Sequence, residues 1–579
     1  MFGESYFWLS KMFLIKNKTG LLILLLLLGA VFRFYNLSYA DSYTDESILG
    51  FRAIGLIDYN AAYTQTTPWQ WFDEVPAWAR LSFHDHPPVF FWLQHLSINI
   101  FGQNTFALRL PSVLAGLASL YLVFLLARRL ISEKAAYLAL VFLTVQSHHV
   151  WISRIGLQDS VVVFFMLLII YLWLLALERQ KIYWWLLWGL SLGLGIMTKY
   201  TTLIIIPILL VHTVIFRFSF YRQKNFWLAM ILALILTLPI ILYNCFLFGA
   251  VGHFDFQISA LLGQDTSHWA ERLGREKVGD LKDRLVGFFV VFYRSNTWLF
   301  NILVPLAWLV NTFLYFKNKQ KNLLFLIVVP ILLWLWFLVI GSTDRFVVMI
   351  VPWLVILLAN LFAVLLETTH YRKILYLFLV LFIIWEGIFA TNSFLSTKQI
   401  ARASWTYSQL IDSNKNFGFN ELDGYLDNIF AGKYPMATGE PRYDFLTELK
   451  DKSITDKQKL GFKPWSVIIV YDHRLFSAAT LWTLQRRLIH DGWIIMPDTT
   501  FVSITGDQLA GYYQKKGVDD FIYIESLNSN QYPLDPAADN FSDDLASTKI
   551  INSYLTGKNI APKIIENRRG EPAFAVYNF

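Results

Sequence analysis

Long apolar runs, separated by short polar connectors, fill most of the first two thirds of the chain. A helix that crosses a bilayer needs about 20 mostly apolar residues, and eleven segments come within a few residues of this length. The pattern therefore predicts an α-helical polytopic membrane protein with about eleven transmembrane helices. The predicted spans are 20–36, 107–127, 135–151, 160–177, 182–198, 200–216, 226–248, 297–316, 323–341, 346–366 and 374–392.

One further apolar segment, PPVFFWLQHLSINIF at 87–101, is shorter and opens with two prolines. Counting it as a span would reverse the side of every later basic connector. We therefore interpret it as a helix that lies along the outer membrane interface.

The pattern changes near residue 395. Short runs rich in β-branched and aromatic residues follow at 465–472, 493–496, 521–526 and 574–579, and a helical pattern covers 476–490. Runs of this length and composition are typical of buried strands. We predict two domains: a transmembrane helical domain at 1–394, and a soluble α/β domain at 395–579.

Composition agrees with a membrane protein. The 579 residues are 56% hydrophobic and 16% charged, with a mean hydropathy of +0.45, which lies outside the range of most soluble proteins. The single cysteine, Cys245, excludes an intramolecular disulfide and a cysteine metal cluster. Residues 1–394 hold 29 Lys and Arg against 20 Asp and Glu, whereas 395–579 hold 20 against 22. Because the excess cations belong to the membrane part, we predict no nucleic-acid partner.

The basic connectors predict the orientation. If the N-terminus is cytoplasmic, all basic connectors lie on the cytoplasmic side of the membrane, where loops rich in Lys and Arg are usually found. The α/β domain and the loops 37–106 and 249–296 then lie outside, and we expect these two loops to form the site. The predicted location is the plasma (inner) membrane. The basic connector residues are Lys11, Lys16, Lys18, Arg128, Arg129, Lys134, Arg179, Lys181, Arg217, Arg222, Lys224, Lys317, Lys319, Lys321, Arg372 and Lys373.

Several ionisable residues share the outer side. Singly, each fits a solvated loop or an interface anchor. Together, carboxylates, imidazoles and cations can activate a nucleophile and hold an anionic leaving group. Transfer of a sugar from a lipid phosphate suits them, because a carboxylate stabilises an oxocarbenium-like transition state or accepts the acceptor's proton. These residues are Asp45, Glu46, His84, Asp85, His86, Arg154, Asp159, Lys199 and Arg345.

Five stretches carry a family resemblance: YTDES, HDHPPVFFWLQHL with the following FGQNTFALRLPSVLAGLASLYLVFLLARRL, RIGLQDSVVVFF, GLGIMTKY and DRFVVMIVP. In this order they resemble GT-C membrane glycosyltransferases, closest to the protein O-mannosyltransferases and the lipid A aminoarabinose transferases. The resemblance implies an inverting transferase that uses a polyprenyl-phosphate-linked sugar.

The resemblance also implies roles for individual residues. Asp45 matches the favoured catalytic acid, and Glu46 and Asp159 match further acids of the site. Lys199 and Arg345 match residues that contact the donor phosphate or its surroundings. His86 stands where the aminoarabinose transferases often have Lys. We also predict that Arg154 contacts the donor phosphate.

The sequence leaves some alternatives open. His84, Asp85, His86, Glu46 and His253 offer ligands for a divalent metal ion, but we favour a metal-free site with no cofactor. The expected partners are the donor, membrane lipids and a lipid, glycan or protein acceptor. The rival functions are a lipid or sugar transporter or flippase, and a membrane-anchored binding protein whose tail does the work.

Overall fold

The computed structural model describes residues 18–43, 45–59, 66–266, 269, 279–437, 439, 441–475, 478–527 and 546–579. Up to residue 395 the described chain is built from helices. The α-helices are α1 Lys18–Phe34, α2 Asp45–Gly55, α3 Pro68–Trp71, α4 Val89–Phe101, α5 Thr105–Leu130, α6 Glu133–Val145, α7 Ser147–Ile152, α8 Asp159–Arg179, α9 Ile182–Ile196, α10 Ile205–Phe216, α11 Lys224–Val251, α12 Phe256–Leu262, α13 Leu281–Ser295, α14 Trp298–Asn318, α15 Lys321–Ile340, α16 Asp344–Val347, α17 Val351–Thr368 and α18 Arg372–Ala390.

Short 3-10 and π segments join or extend these helices. The 3-10 segments are Ala77–Arg80, Tyr200–Ile204, Phe220–Arg222, Val348–Ile350, Ser404–Thr406 and Gln409–Asn414, and the π segment Thr391–Leu395 extends α18.

Each of the eleven predicted spans overlaps at least one helix. Within the described ranges, seven helices are long and apolar enough to cross a membrane, judged by length and composition. The other four predicted spans match shorter helices, namely α1, α6, α9 and the segment Tyr200–Phe216. The segment predicted to lie along the interface forms α4, a helix of 13 residues. The seven long helices are Thr105–Leu130, Asp159–Arg179, Lys224–Val251, Trp298–Asn318, Lys321–Ile340, Asp344–Thr368 and Arg372–Leu395.

The predicted span 135–151 is interrupted at Gln146. The backbone of Gln146 is extended, and its side-chain oxygen accepts a hydrogen bond from His149 N at 2.7 Å. A side chain that satisfies a free amide at a helix start is an N-cap, so α6 ends and the short helix α7 begins here.

Basic connectors meet at one end of the helical bundle. Lys18 pairs with Glu133 at 2.6 Å, and Lys134 pairs with Glu367 at 3.3 Å. These contacts join the start of α1, the start of α6 and the end of α17. The residues predicted for the site lie at the opposite helix ends, as the alternation of spans requires.

The tail forms an α/β domain. Its described strands are β1 Lys433–Pro435, β2 Lys463–Trp465, β3 Val467–Tyr471, β4 Ile494–Pro497, β5 Asp520–Ser526, β6 Lys563–Glu566 and β7 Pro572–Asn578. Its α-helices are α19 Phe419–Phe430, α20 Asp444–Lys459, α21 Ala478–Thr480, α22 Arg486–Asp491, α23 Asp498–Thr505, α24 Ala510–Gln514 and α25 Ala546–Gly557. The π segment Leu481–Gln485 joins α21 to α22, and the 3-10 segment Gly506–Gln508 follows α23.

The larger sheet has the strand order β4-β3-β5-β7-β6. Strands β3, β4 and β5 are parallel, whereas β7 runs antiparallel to β5 and β6. Four strands coincide with the predicted runs. We missed β1, β2 and β6, which have three or four residues each and are largely exposed or half-buried.

The α/β domain packs directly on the helices. Arg486 Nη1 donates to Gln103 O at 2.7 Å, at the turn between α4 and α5. Asp41, just beyond α1, accepts hydrogen bonds from Phe417 N at 2.6 Å and Asn420 N at 2.9 Å. Residues of the C-terminal domain therefore hold the segment between α1 and α2, next to the site described below.

Candidate functional site

A cavity of about 450 Å³ opens beside the first residue of α2. The carboxylate of Asp45 forms an ion pair with Arg345 of α16. The Asp45 side chain remains 43% exposed and that of Arg345 33% exposed. Both are thus accessible to a substrate that enters the cavity. The cavity is lined by Tyr43, Asp45, Trp151, Leu157, Arg294, Thr343, Asp344, Arg345, Gln409, Leu410, Asp412 and Ser413.

The surroundings of Asp45 favour its charged form. Burial raises the pKa of its carboxyl group, but Arg345, His86 and Lys199 together lower it by more. The resulting pKa lies below the usual value of an aspartate. Asp45 is therefore an anion at neutral pH, as a base or a stabiliser of positive charge must be.

Lys199 and Asp159 form a second, buried pair beside Asp45. Lys199 precedes the 3-10 turn that follows α9, and Asp159 is the first residue of α8. The Lys199 Nζ atom lies 2.8 Å from Asp159 Oδ1 and 4.8 Å from the centre of the Phe346 ring. Burial lowers the pKa of Lys199, and the Asp159 carboxylate raises it. The pair keeps a cation within electrostatic reach of Asp45.

A third pair borders the cavity, and its cationic member was missed in the sequence. Arg294, near the end of α13, donates to Asp344 through Nε at 3.0 Å and through Nη2 at 2.5 Å. Trp151 also lines the cavity, and its indole N–H donates to Ser413 Oγ at 2.8 Å. Arg294 carried no signal in the sequence, because it lies within an amphipathic stretch where charges are common.

The HDH segment lies near Asp45 and is held by Arg52 of α2. Arg52 donates to both oxygens of Asp85, at 2.7 and 2.9 Å. His86 Nδ1 lies 3.1 Å from Asp85 Oδ1. Burial raises the pKa of Asp85, but Arg52 and the two histidines lower it well below its usual range. Asp85 thus fixes the His86 ring beside the site.

Glu46 has a different environment from its neighbour. Its side chain is fully buried, and Arg109 of α5 donates to it through Nε at 2.8 Å and Nη2 at 2.9 Å. Gly156 N and Tyr43 N donate at 2.8 and 3.2 Å. With four donors on its two oxygens, Glu46 is held as part of the fold, and this placement favours a structural role over the catalytic role that we predicted for it.

Arg154 is likewise placed in a structural position. Its guanidinium is buried and donates to the carbonyl oxygens of Phe32, Arg33, Tyr35 and Asn36 at 2.8–3.3 Å. Phe32 and Arg33 lie in the last turn of α1, where carbonyl oxygens lack partners within the helix, and Tyr35 and Asn36 follow the helix. Arg154 therefore holds the end of α1, and this placement favours a structural role over the phosphate contact that we predicted.

His253 also lies apart from Asp45. Its Nδ1 donates to Phe254 O at 2.7 Å, and its ring stacks on Trp269 with 4.9 Å between the centres. This position favours a packing role over the substrate or metal role that we predicted.

His84, with Asp58 and Asp85, has the spacing of a metal site. One donor atom from each lies within 4.8 Å of the other two. His84 Nδ1, however, lies 2.7 Å from Asp58 Oδ1, and Arg52 already places a positive charge between the two carboxylates. The donor set is thus satisfied by the protein, and the metal-free site stays our prediction.

The fold and the cavity together define a polytopic membrane protein with a charged site between its helices and an α/β domain. Comparison with known structures agrees with this class. ArnT from Cupriavidus metallidurans, in a structure bound to undecaprenyl phosphate, is similar with a TM-score of 0.51 and 13% identity, over 97% of this chain and 98% of that chain. The Archaeoglobus fulgidus oligosaccharyltransferase has a TM-score of 0.50 and 13% identity, over 89% of this chain and 70% of that chain. The predicted GT-C-like fold with an α/β domain is confirmed.

Sequence comparisons add a family relationship over part of the chain. Residues 85–243 match the family described as dolichyl-phosphate-mannose-protein mannosyltransferase. The undecaprenyl phosphate-alpha-4-amino-4-deoxy-L-arabinose arabinosyl transferase of Erwinia tasmaniensis is 31% identical over 172 residues, 28% of this chain and 31% of the relative. The enzyme with the same name from Edwardsiella ictaluri is 29% identical over 177 residues, 29% and 32% of the two chains. This chain thus spans about a third or less of the curated relatives, and the resemblance seen in the motifs is confirmed.

Proposed function

We propose that the protein is an inverting glycosyltransferase that moves a sugar from a polyprenyl-phosphate donor to an acceptor at the outer face of the membrane. The observation that carries the proposal is the cavity at Asp45. A charged, accessible carboxylate lies there beside two cations, Arg345 and Lys199. The names of the Erwinia and Edwardsiella relatives support the donor class.

The residues suggest how the transfer proceeds. The acceptor oxygen or nitrogen attacks the anomeric carbon from the side of Asp45, which takes the acceptor's proton. The bond between the anomeric carbon and the phosphate oxygen breaks, and its electron pair leaves with the phosphate. Arg345 and Lys199 hold that phosphate, so their charge is placed where negative charge grows in the transition state.

The lipid chain of the donor needs an apolar surface next to the cavity. Helix α13, which carries Arg294 near its end, exposes large apolar side chains outward, among them Phe289 at 62% and Tyr293 at 64% exposure. In a bilayer such a surface contacts lipid without cost. We expect the first isoprene units to lie along α13 while the phosphate reaches Arg345.

The acceptor would approach from the tail side. Gln409, Leu410, Asp412 and Ser413 line the cavity, and they belong to the segment that leads into the α/β domain. This position supports a role of the tail in acceptor recognition. The acceptor itself can be a lipid, a glycan or a protein.

The test uses the purified full chain with a panel of polyprenyl-phosphate sugars and candidate acceptors. Mass spectrometry measures the released polyprenyl phosphate and the glycosylated acceptor. We expect both products from the wild type and from Asp456→Asn, a control that changes an exposed carboxylate of α20. Asp45→Asn should release neither.

Two results would contradict the proposal. Near-normal product formation by Asp45→Asn would remove the catalytic assignment. Movement of a labelled donor across vesicle membranes, without release of the lipid phosphate in any combination, would favour a transporter or flippase.

A further inference from the structure

The segment 396–406, which we call the linker loop, joins the end of α18 to the C-terminal domain. Its sequence is STKQIARASWT, with two cations, Lys398 and Arg402, and no acid. Ile400 is 66% and Trp405 59% exposed. Neither cation forms an ion pair with the described residues. Exposed apolar and cationic side chains on one short segment beside a membrane helix are typical of surfaces that contact lipid.

The linker loop is held in a fixed shape by Asn392, which is buried at the end of α18. The Asn392 amide nitrogen donates to Ala401 O at 2.9 Å and to Thr406 O at 3.0 Å. Its amide oxygen accepts from Ile400 N at 2.6 Å. The Thr406 hydroxyl closes the loop by donating to Ala403 O at 2.6 Å. The Ile400 side chain therefore cannot turn inward without breaking these hydrogen bonds.

Tryptophan rings mark the level of the membrane interface beside the loop. The Trp405 ring stacks on that of Trp385, near the end of α18, with 5.4 Å between the centres. The next residue of α18, Glu386, accepts a hydrogen bond from Thr297, which directly precedes α14. The first residue of α14 is Trp298, 48% exposed. Because tryptophan collects where hydrocarbon meets the headgroups, these rings place the border of the hydrocarbon at this level.

The cations of the loop then lie on the headgroup side of this border. Asn392, which holds the loop, follows Trp385 by seven residues, about 10 Å along a helix. The headgroup region of one leaflet is about 5–8 Å thick. Because long cationic side chains extend toward charged groups while their stems stay on apolar surface, Lys398 and Arg402 are within reach of lipid phosphates.

A third cation extends this surface from the C-terminal domain. Arg569 Nε donates to Thr397 O at 3.0 Å, so its guanidinium lies at the base of the loop. Of the acids beside it, Glu421 pairs with Arg568 at 3.0 Å. Glu571 accepts a hydrogen bond from a side-chain amide of its own turn. The surface therefore carries more positive than negative charge.

We propose that the linker loop dips into the leaflet on the side of the cavity and binds the phosphate groups of anionic phospholipids. Ile400 and Trp405 enter the border of the hydrocarbon, and Lys398 and Arg402 meet the negative headgroups above it. The loop continues into Gln409–Asn414, which lines the cavity, so the same contact holds this cavity wall at the membrane surface. The proposal is independent of the transferase activity.

The single cysteine allows one probe to be placed on the loop of the full chain. In a Cys245→Ser background, Ile400→Cys is labelled with an environment-sensitive nitrobenzoxadiazole dye, and the protein is placed in phosphatidylcholine nanodiscs. The nanodiscs contain a quencher lipid with a nitroxide near the start of its acyl chain. At equal mole fraction, this lipid carries either a phosphatidylglycerol or a phosphatidylcholine headgroup.

The control probe is Leu460→Cys in the same background. Leu460 is an apolar residue of the C-terminal domain, 72% exposed, and it directly follows α20. Phe445, at the other end of α20, packs on Trp69 of the segment before α4, with 5.3 Å between the ring centres. Leu460 therefore lies about 22 Å along the helix from the contact with the membrane domain, beyond the reach of the quencher.

We expect the probe at Ile400→Cys to be quenched by both lipids, and about fivefold more strongly by the anionic one, the enrichment that one cation produces at an anionic surface. Adding Lys398→Gln and Arg402→Gln should keep the quenching and abolish the preference. The control pair Lys515→Gln and Lys516→Gln should keep the preference, because these exposed cations precede β5 and lie at the other end of the sheet from the start of β7.

Three results would overturn the proposal. Quenching at Ile400→Cys no stronger than at Leu460→Cys would show that the loop does not enter the leaflet, which is also the result expected if a second copy of the chain covered it. Equal quenching by the two headgroups would exclude anionic lipid as the ligand. A preference that survives Lys398→Gln and Arg402→Gln would exclude these two cations as its source.

Discussion

Replacing the adjacent carboxylates Asp45 and Glu46 should have different effects: the change at Glu46 should lower stability, and the change at Asp45 should lower activity. Glu46→Gln keeps the size of the side chain but removes its charge. The Arg109 guanidinium, only 3% exposed, then faces an amide, and the new NH₂ group competes with the Gly156 N–H that the carboxylate accepted. Breaking a buried ion pair on one side costs about 3–5 kcal/mol of unfolding free energy.

Asp45→Asn should leave the unfolding free energy almost unchanged. Asp45 and Arg345 are 43% and 33% exposed, and exposed ion pairs contribute at most about 1 kcal/mol. Its turnover should nevertheless fall about 10²–10⁴-fold, the usual contribution of a general base.

Thermal unfolding, followed by tryptophan fluorescence, and the release of polyprenyl phosphate measure the two effects. We expect Glu46→Gln to melt several degrees below the wild type. Asp45→Asn should melt within about a degree of the wild type and form no product. The reasoning would be refuted if Glu46→Gln melted normally but were inactive while Asp45→Asn stayed active. Glu46 would then be the catalytic residue and Asp45 would not.

Three further predictions concern neighbouring contacts. Burial lowers the pKa of His490 to about 4, so the neutral form stabilises the fold, and this stability is lost as the pH falls from about 6.5 toward 4. Lowering the pH from 7 to 5 should therefore cost about 1–2 kcal/mol of unfolding free energy. A His490→Gln variant whose melting temperature depends on pH in the same way as that of the wild type would contradict this. Lys199→Met should destabilise the protein, because it leaves the buried Asp159 carboxylate unpaired. The double variant Lys199→Met/Asp159→Leu should regain the melting temperature but not sugar transfer. Recovery of transfer in the double variant would argue against a role of Lys199 at the phosphate. Gly156→Ala places a Cβ 2.8 Å from Glu46 Oε1 and should cost about 1–3 kcal/mol, measured by the same thermal unfolding; an unchanged melting temperature would show that the contact can relax.

The sequence predicted the helices well because the bilayer sets their length. An apolar run of membrane length has few alternatives to a helix, since backbone groups in hydrocarbon must be hydrogen-bonded internally. The prediction for 135–151 missed the break at Gln146. In an apolar sequence, one polar residue that caps a new helix cannot be told from one that lies within a continuous helix. Strands β1, β2 and β6 were missed for a different reason. They are short and largely exposed or half-buried, and only their pairing identifies them.

The site was only partly predictable, because alternation along the membrane says which end a residue occupies and not which way it points. Asp45, Asp159, Lys199 and Arg345 do come together. Glu46 follows Asp45 on the same helix and points about 100° away from it. The missing signal was Arg109, a charged residue inside the long apolar helix α5 that needs a buried partner.

Hydrogen-bond saturation separates the two kinds of carboxylate at this site. Glu46 accepts from four donors and is fully buried, so neither oxygen can take a proton or approach a sugar without breaking the fold. Asp45 is held by one guanidinium and faces an open cavity, so a lone pair is available to the acceptor while its charge is still stabilised. A reacting carboxylate must be both charged and incompletely satisfied, and in this pair only Asp45 meets both conditions.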